Sequence, residues 1–198
     1  MDIVQLSQRL DAGSVLAGYR RGMFPMGYPG RKIISWHHPK VRAVLPLDAL
    51  HVSRSLERRL RKGGFEVTFD RAFLQVMQGC AARSSTWITR DIFRVYSELH
   101  AMQQAHSVEV WVDGELAGGL YGVHIGGAFF AESKFHRVTD MSKVALVSLA
   151  RHLRERGFQL LEVQYLTEHL AQFGVVEISD AEYQQRLAAA LSVSREFV

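Results

Sequence analysis

The stretch HSVEVWVDGELAGGLYGVHIGGAFFAE, residues 106 to 132, decides the fold. Its extended runs, His106 to Val112, Glu115 to Val123 and a third through Glu132, are parted by Asp113-Gly114 and Gly126-Gly127. Asp-Gly supplies the two left-handed residues that a tight hairpin turn needs, and that turn matches the twist of the flanking strands. The stretch therefore predicts a meander of three antiparallel strands.

Toward the C-terminus, Thr139 or Asp140 is placed to cap a helix running to Arg156, with Leu146, Leu149, Ala150 and Leu153 on its apolar face and Gly157 as its stop. A strand from Gln159 to Gln164, a helix from Thr167 to Phe173, a strand from Val175 to Ile178 and a helix capped by Ser179 to about Leu191 follow. Toward the N-terminus, Ala12 to Gly22 reads as helix, and Ile33 to Trp36 and Val41 to Leu45 read as short strands. The basic run SRSLERRLRK, Ser53 to Lys62, reads as a helix with Leu56 and Leu60 inward, and Gly63-Gly64 closes it. Phe65 to Phe69 alternates as a strand, Asp70 is placed as N-cap of a helix through about Ala81, and Asp91 to Gln104 forms another helix. Antiparallel strands interleaved with helices make an α+β class, divided into a small basic α/β unit over residues 1–64 and a second domain over 65–198.

Charge follows the same division. Residues 1–65 hold twelve Lys or Arg against four Asp or Glu, whereas residues 66–198 hold twelve against sixteen. A basic first third points to a polyanionic partner, with Arg54, Arg58, Arg59, Arg61 and Lys62 as the candidate phosphate contacts. Trp36 and Trp87, each in a polar local sequence, are candidates for stacking on an unpaired base, although most tryptophans pack into cores.

Several classes are disfavoured. The single cysteine, Cys80, forms no internal disulfide, no run is long and apolar enough to span a membrane, and the expected compartment is the cytoplasm. His37-His38 lacks Cys or carboxylate at ligand spacing, so no metal site is expected, and no Gly-x-Ser-x-Gly elbow is present. In the strand after Gly157, Glu162 and Gln164 project to one face while Leu161 and Val163 project to the other. Such a pair is either the solvated side of a sheet or, with Glu132, a grouping suited to acyl transfer.

Nine motifs in order decide between these readings: YRRGMFP (19–25), HVSRS (51–55), VMQGCA (76–81), TWIT (86–89), AHSVEVW (105–111), ELAGGLYGV (115–123), FFAES (129–133), SKVAL (142–146) and VQYLTEHL (163–170). Together they resemble the leucyl/phenylalanyl-tRNA–protein transferases, over about residues 15 to 190. The resemblance implies a GNAT-like acyltransferase domain behind a small N-terminal one. It implies an enzyme that moves Leu or Phe from aminoacyl-tRNA onto the N-terminal Arg or Lys of a protein, marking it for degradation. A monomer that works without cofactor, metal or membrane is expected. An aminoacyl ester is already activated, so its aminolysis needs no ATP.

By the same resemblance, Glu162 is the proton-relay carboxylate, Gln164 the amide that meets the attacking amine, and Glu132 a pocket residue near the aminoacyl end. Leu120, Phe129, Leu146, Leu153 and Leu161 would wall the amino-acid side chain, with Trp36 and Trp87 seating the terminal adenosine. The chain departs from the family's pattern in having Glu162 for the usual Asp, Lys134 in the pocket for the usual Met, and a shorter segment before Tyr19. Two alternatives remain: a non-catalytic tRNA-binding or degradation-adaptor protein, and a CoA-dependent GNAT enzyme. The latter needs a pyrophosphate loop opening a helix, whereas the nearest run, Arg154 to Gln159, closes one.

Overall fold

The meander forms as its turns dictate in a computed structural model that describes residues 2–198. Strands β6 (Ala105–Val112), β7 (Glu115–Ile125) and β8 (Ala128–His136) pair antiparallel in sequence, with Asp113 and Gly114 at φ 51° and 80° in the hairpin. β5 (Glu66–Phe69) adds antiparallel to β6. On the other side β9 (Leu160–Gln164) runs parallel to β8, connected to it by helix α5 (Met141–Glu155), as a parallel neighbour requires. β4 (Val41–Val44) and β10 (Val176–Ser179) complete a seven-stranded sheet ordered β10-β4-β9-β8-β7-β6-β5. The α+β class with a mainly antiparallel sheet is thus the one expected.

A second sheet has the order β1-β3-β2, built from β1 (Ile3–Ser7), β2 (Phe24–Gly27) and β3 (Ile34–His37). Neither β1 nor β2 is legible by pattern: β1 shows no buried face, and β2 is four residues long and contains Pro25. Helices α1 (Ala12–Arg20), α3 (Phe73–Ala81), α4 (Arg90–Ala101) and α7 (Asp180–Leu191) enclose a core with Trp36, Tyr96, Phe130 and Tyr183 on one side of the large sheet. Helix α5 covers the other side, where Leu56 of α2 (Arg54–Lys62) also buries, and a short helix α6 spans Glu168–Ala171. β4 pairs with both β9 and β10, although it precedes the division expected at Gly64.

Two expected helix caps are not caps. Asp70 lies in the left-handed region at φ 57°, and its carboxylate takes the Ser107 amide at 2.8 Å and His106 Nδ1 at 2.6 Å, so α3 begins only at Phe73. Asp140 precedes α5 but is also left-handed, at φ 70°, and bonds Lys143 at 2.8 Å rather than the helix amides. Thr139 lies outside the helix and does not cap it.

The same Asp70 begins a chain of rings that fastens the C-terminal tail. His106 Nε2 meets His124 Nδ1 at 3.0 Å, His124 Nε2 meets the Arg195 carbonyl at 3.1 Å, and the fully buried Phe197 stacks on His106 with ring centres 4.3 Å apart. Burial, then the neighbouring His106, holds His124 below its ordinary value, and burial does the same to His152, whose ring packs against Phe197. A histidine with a lowered folded value binds its proton more readily in the unfolded chain, so this stabilisation is present above about 6.5 and is lost as pH falls below it. Melting temperature is therefore expected to fall between pH 7 and 5.5, and less so in His124→Gln. Equal pH dependence in parent and variant would show that the ring does not contribute.

Candidate active site

β8 and β9 pair only from Ala128↔Leu160 to Phe130↔Glu162. Beyond that point they part, and a cleft of about 920 Å³ opens between them, with Glu132 and Lys134 on one side and Val163 and Tyr165 on the other. The register of β7 and β8 also slips there, from Tyr121↔Ser133 to Gly122↔Ala131, leaving Glu132 as the extra residue of a β-bulge. A bulge bends its strand and re-aims one side chain, here the one that faces the opening. Gly122 sits beside it because a Cβ would collide with the Phe130 carbonyl and the Phe129 ring.

Glu132 is held by a buried polar cluster. Its Oε1 accepts from the Tyr19 hydroxyl and, at 3.0 Å, from Gln164 Nε2, while the Tyr19 and Tyr96 hydroxyls lie 2.7 Å apart. Its Oε2 is buried with no hydrogen-bond partner. Burial pushes the carboxyl up to about 8 against the opposing pull of the Tyr19 hydrogen bond, so the group is neutral at pH 7. Gln164 reaches Glu132 from the end of β9, where its φ of 66° breaks the strand.

Glu162 lies behind this cluster, 1% exposed. Its Oε1 receives Arg42 Nε at 2.9 Å and Nη2 as well, and its Oε2 receives the Tyr183 hydroxyl at 2.6 Å. The Arg42 guanidinium stacks over the Tyr183 ring at 4.0 Å and donates Nη1 to the Gly22 carbonyl. Burial raises the Glu162 carboxyl and Arg42 opposes that rise. Burial also works against the Arg42 charge, but Glu162 outweighs it and the guanidinium is held more firmly protonated. An arginine keeps its proton in proteins, so the pair is ionic.

The structure brings five of the residues singled out in the sequence to the cleft wall: Trp87, Leu120, Glu132, Lys134 and Leu146. Others it places elsewhere. Trp36 is not available for stacking: it is 4% exposed, its Nε1 donates to Ser7 at 3.2 Å, and its ring edge fills the space that a side chain at Gly18 would occupy. Phe129, Leu153 and Leu161 are core residues behind the wall, and Phe129 stacks on Phe197 with ring centres 5.4 Å apart. Glu162 and Gln164 share the face expected of them, yet neither lines the cleft, and Gln164 reaches it through Glu132. On α2, Arg54, Arg58, Arg61 and Lys62 are exposed, whereas Arg59 folds back onto the Gly63 carbonyl and the Phe65 ring. His37 and His38 part company, the first bonding Ser35 at 2.9 Å and the second Asp180 at 2.9 Å. Cys80 is buried and its thiol is pushed up to about 12, as suits a small core residue.

Arg42, Tyr19, Tyr96, Tyr183, Arg83 and His169 were not singled out from sequence. Tyr19 and His169 do fall within quoted motifs. Arg42 gives no such signal, since an arginine in the short strand VRAV reads as its solvated face.

The sequence profile described as leucyl/phenylalanyl-tRNA protein transferase matches residues 44–188, and the one described as that transferase's N-terminal domain matches residues 8–40. The chain belongs to the leucyl/phenylalanyl-tRNA–protein transferase family. Among relatives of that name, the protein of Salinibacter ruber is 53% identical over 183 residues, covering 92% of this chain and 81% of its own. That of Herpetosiphon aurantiacus is 49% identical over 193 residues, covering 97% and 100%. The N-terminal profile ends just before β4 and the second begins at its last residue, where the chain passes from the small sheet to the large one. Solved structures of similar shape include a ribosomal-protein-alanine N-acetyltransferase from Brucella melitensis biovar Abortus 2308, at 15% identity and a TM-score of 0.41 over 56% of this chain and 86% of that one. Another is L-PGS from Bacillus licheniformis, at 12% identity and a TM-score of 0.45 over 92% and 64%.

Proposed function

We propose that this chain transfers Leu or Phe from aminoacyl-tRNA to the N-terminal Arg or Lys of a protein, acting as a cytoplasmic monomer without cofactor or metal. The observation that carries the chemistry is the unpartnered Oε2 of Glu132, buried at the wall of the cleft. Because the carboxyl is protonated at neutral pH, Oε2–H is a donor positioned for the oxyanion that forms when an amine attacks the ester. Gln164 gives its Nε2 to Glu132, which leaves its carbonyl oxygen to accept a hydrogen bond from the attacking amine. Glu162, the next acidic group behind them, is the proton acceptor of the relay. Trp87 seats the terminal base, and Leu120 and Leu146 contact the amino-acid side chain. We place the functional division near residue 40, where the sheets change, in preference to Gly64.

Incubation with a panel of charged tRNAs and of peptides differing in their N-terminal residue tests the reading. Transfer of Leu or Phe to N-terminal Arg or Lys is expected, and no incorporation from any charged tRNA would overturn it. Exposed Arg54 and Arg58 on α2 serve the tRNA phosphates in this reading. Reversing both charges is then expected to weaken tRNA binding and flatten its dependence on log salt by about 0.7–0.9 per lost contact. The same change would leave use of an aminoacyl-adenosine intact, and equal loss on both substrates would remove α2 from the tRNA surface.

A further inference from the structure

Cations collect at the cleft without acidic partners. Arg83, Lys134, Arg137 and His169 all line it, and among the described residues none takes part in an ion pair. Arg83 and Arg137 each direct one nitrogen to a backbone carbonyl, of Lys134 and Leu116 respectively, and their remaining donors have no protein acceptor. His169 Nε2 is buried with no partner. The one acid in the wall, Glu132, keeps its proton at neutral pH and so offsets none of this charge. Burial, then Arg83, pushes Lys134 down to about 8, and burial followed by Lys134, Lys143 and His136 lowers His169. A folded chain that holds three permanent or near-permanent cations and an orphaned ring nitrogen around one opening lacks an anion.

We propose that Lys134, Arg83 and His169 form a subsite for a single phosphodiester, the one joining the last two nucleotides of the donor tRNA; the identity of that donor rests on the reading above. A phosphodiester carries one charge on two non-bridging oxygens, enough to take the Lys134 ammonium, a guanidinium N–H and His169 Nε2–H together. Trp87 stands in the same cleft, half-buried, and an aromatic face beside a cation is how unpaired nucleotides are held. An acidic side chain on the acceptor would supply a similar charge but would leave Trp87 without a role. Lys134 then gives the substrate's nucleotide end a contact independent of α2 and separates recognition of the terminal nucleotides from that of the tRNA body.

The experiment compares phenylalanyl esters of adenosine and of the dinucleotide CpA in transfer to a peptide with N-terminal Arg, in the parent, Lys134→Met and Lys134→Arg. A charge-assisted contact of this kind is expected to lower KM for the dinucleotide by about tenfold or more relative to adenosine. Lys134→Met should bring that ratio close to one, and Lys134→Arg should keep most of it. An unchanged ratio in Lys134→Met overturns the proposal, as does a shift confined to peptides beginning with Asp or Glu. Titration of Trp87 fluorescence with unreactive CpA and with adenosine reads the same contrast without turnover. If no ester is used by the parent, the transferase reading fails, while the titration still decides the subsite: a CpA preference lost in Lys134→Met supports it, and equal binding of the two ligands sinks it.

Discussion

Arg42→Met is expected to destabilise the protein by about 3–5 kcal/mol, because it leaves the Glu162 carboxylate buried without its counter-charge. Only the Tyr183 hydroxyl would remain on that group, and one neutral donor does not replace a two-pronged guanidinium. Denaturant unfolding of the variant measures the loss, and a change below about 1 kcal/mol would mean that water reaches the site in the parent. The double change Arg42→Met and Glu162→Met replaces the ion pair with apolar volume and is expected to regain most of the stability. It separates structure from chemistry. If Glu162 is the relay, the double variant stays at least about a hundredfold slow although it folds, and Glu162→Gln alone is equally slow. A single-turnover rate for Glu162→Gln within about twofold of the parent would leave Glu162 as the partner of Arg42 and nothing more. Glu162→Asp shortens the arm that reaches Arg42 Nε, so it is expected to weaken the pair unless β4 shifts toward β9.

Glu132→Gln is expected to be stabilising, and increasingly so as pH rises. The unfolded carboxyl ionises near 4.5 while the folded one keeps its proton until about 8, so the folded state binds more protons across that interval. Stability of the parent must therefore fall as pH rises through the window, by up to about 1.4 kcal/mol per pH unit and on the order of 5 kcal/mol in total. Glutamine copies the protonated acid: its carbonyl oxygen can receive Tyr19 and Gln164, and its NH2 replaces the Oε2–H donor. The variant should match the parent below about pH 4.5, exceed it above pH 7, and lose the window. A parent whose stability is flat from pH 5 to 8 would show that Glu132 is ionised in the folded protein. Turnover gives a second readout, since the parent should lose activity as Glu132 ionises above about 8 and the variant should not show that limb.

The parts of the fold that were legible are those set by neighbours in the chain. Asp113-Gly114 and Gly126-Gly127 give the meander, and strand alternation puts Glu162 and Gln164 on one face. Contacts across long separations leave no local trace. Arg42 meets Glu162 from 120 residues away, and in the sequence it stands between valine and alanine like any solvated strand residue. Asp70 has the right residue type and position for a helix cap, yet β6 claims its carboxylate and the backbone turns left-handed. The slip that re-aims Glu132 depends on how β7 and β8 align and on the tight packing at Gly122, neither of which a period of two reveals. The apolar residues Phe129, Leu153 and Leu161 illustrate the converse: resemblance puts them on the pocket wall, and the buried ring of Phe197 keeps Phe129 in the core behind it.

The position of β4 bears on how the chain must assemble. It is held between β9 and β10, so a strand made early in synthesis has both of its partners made late. The meander of neighbouring strands can collapse as it emerges from the ribosome, whereas β4 must wait with two unpaired edges and a positive arginine that has no counter-ion. Closing the Arg42 and Glu162 contact over so long a loop is costly in chain entropy and belongs to the last stage of folding. Until then residues 41–44 are a ready template for a stray strand. A nascent chain arrested before residue 160 is accordingly the species most prone to aggregate, and the one for which chaperone capture matters most.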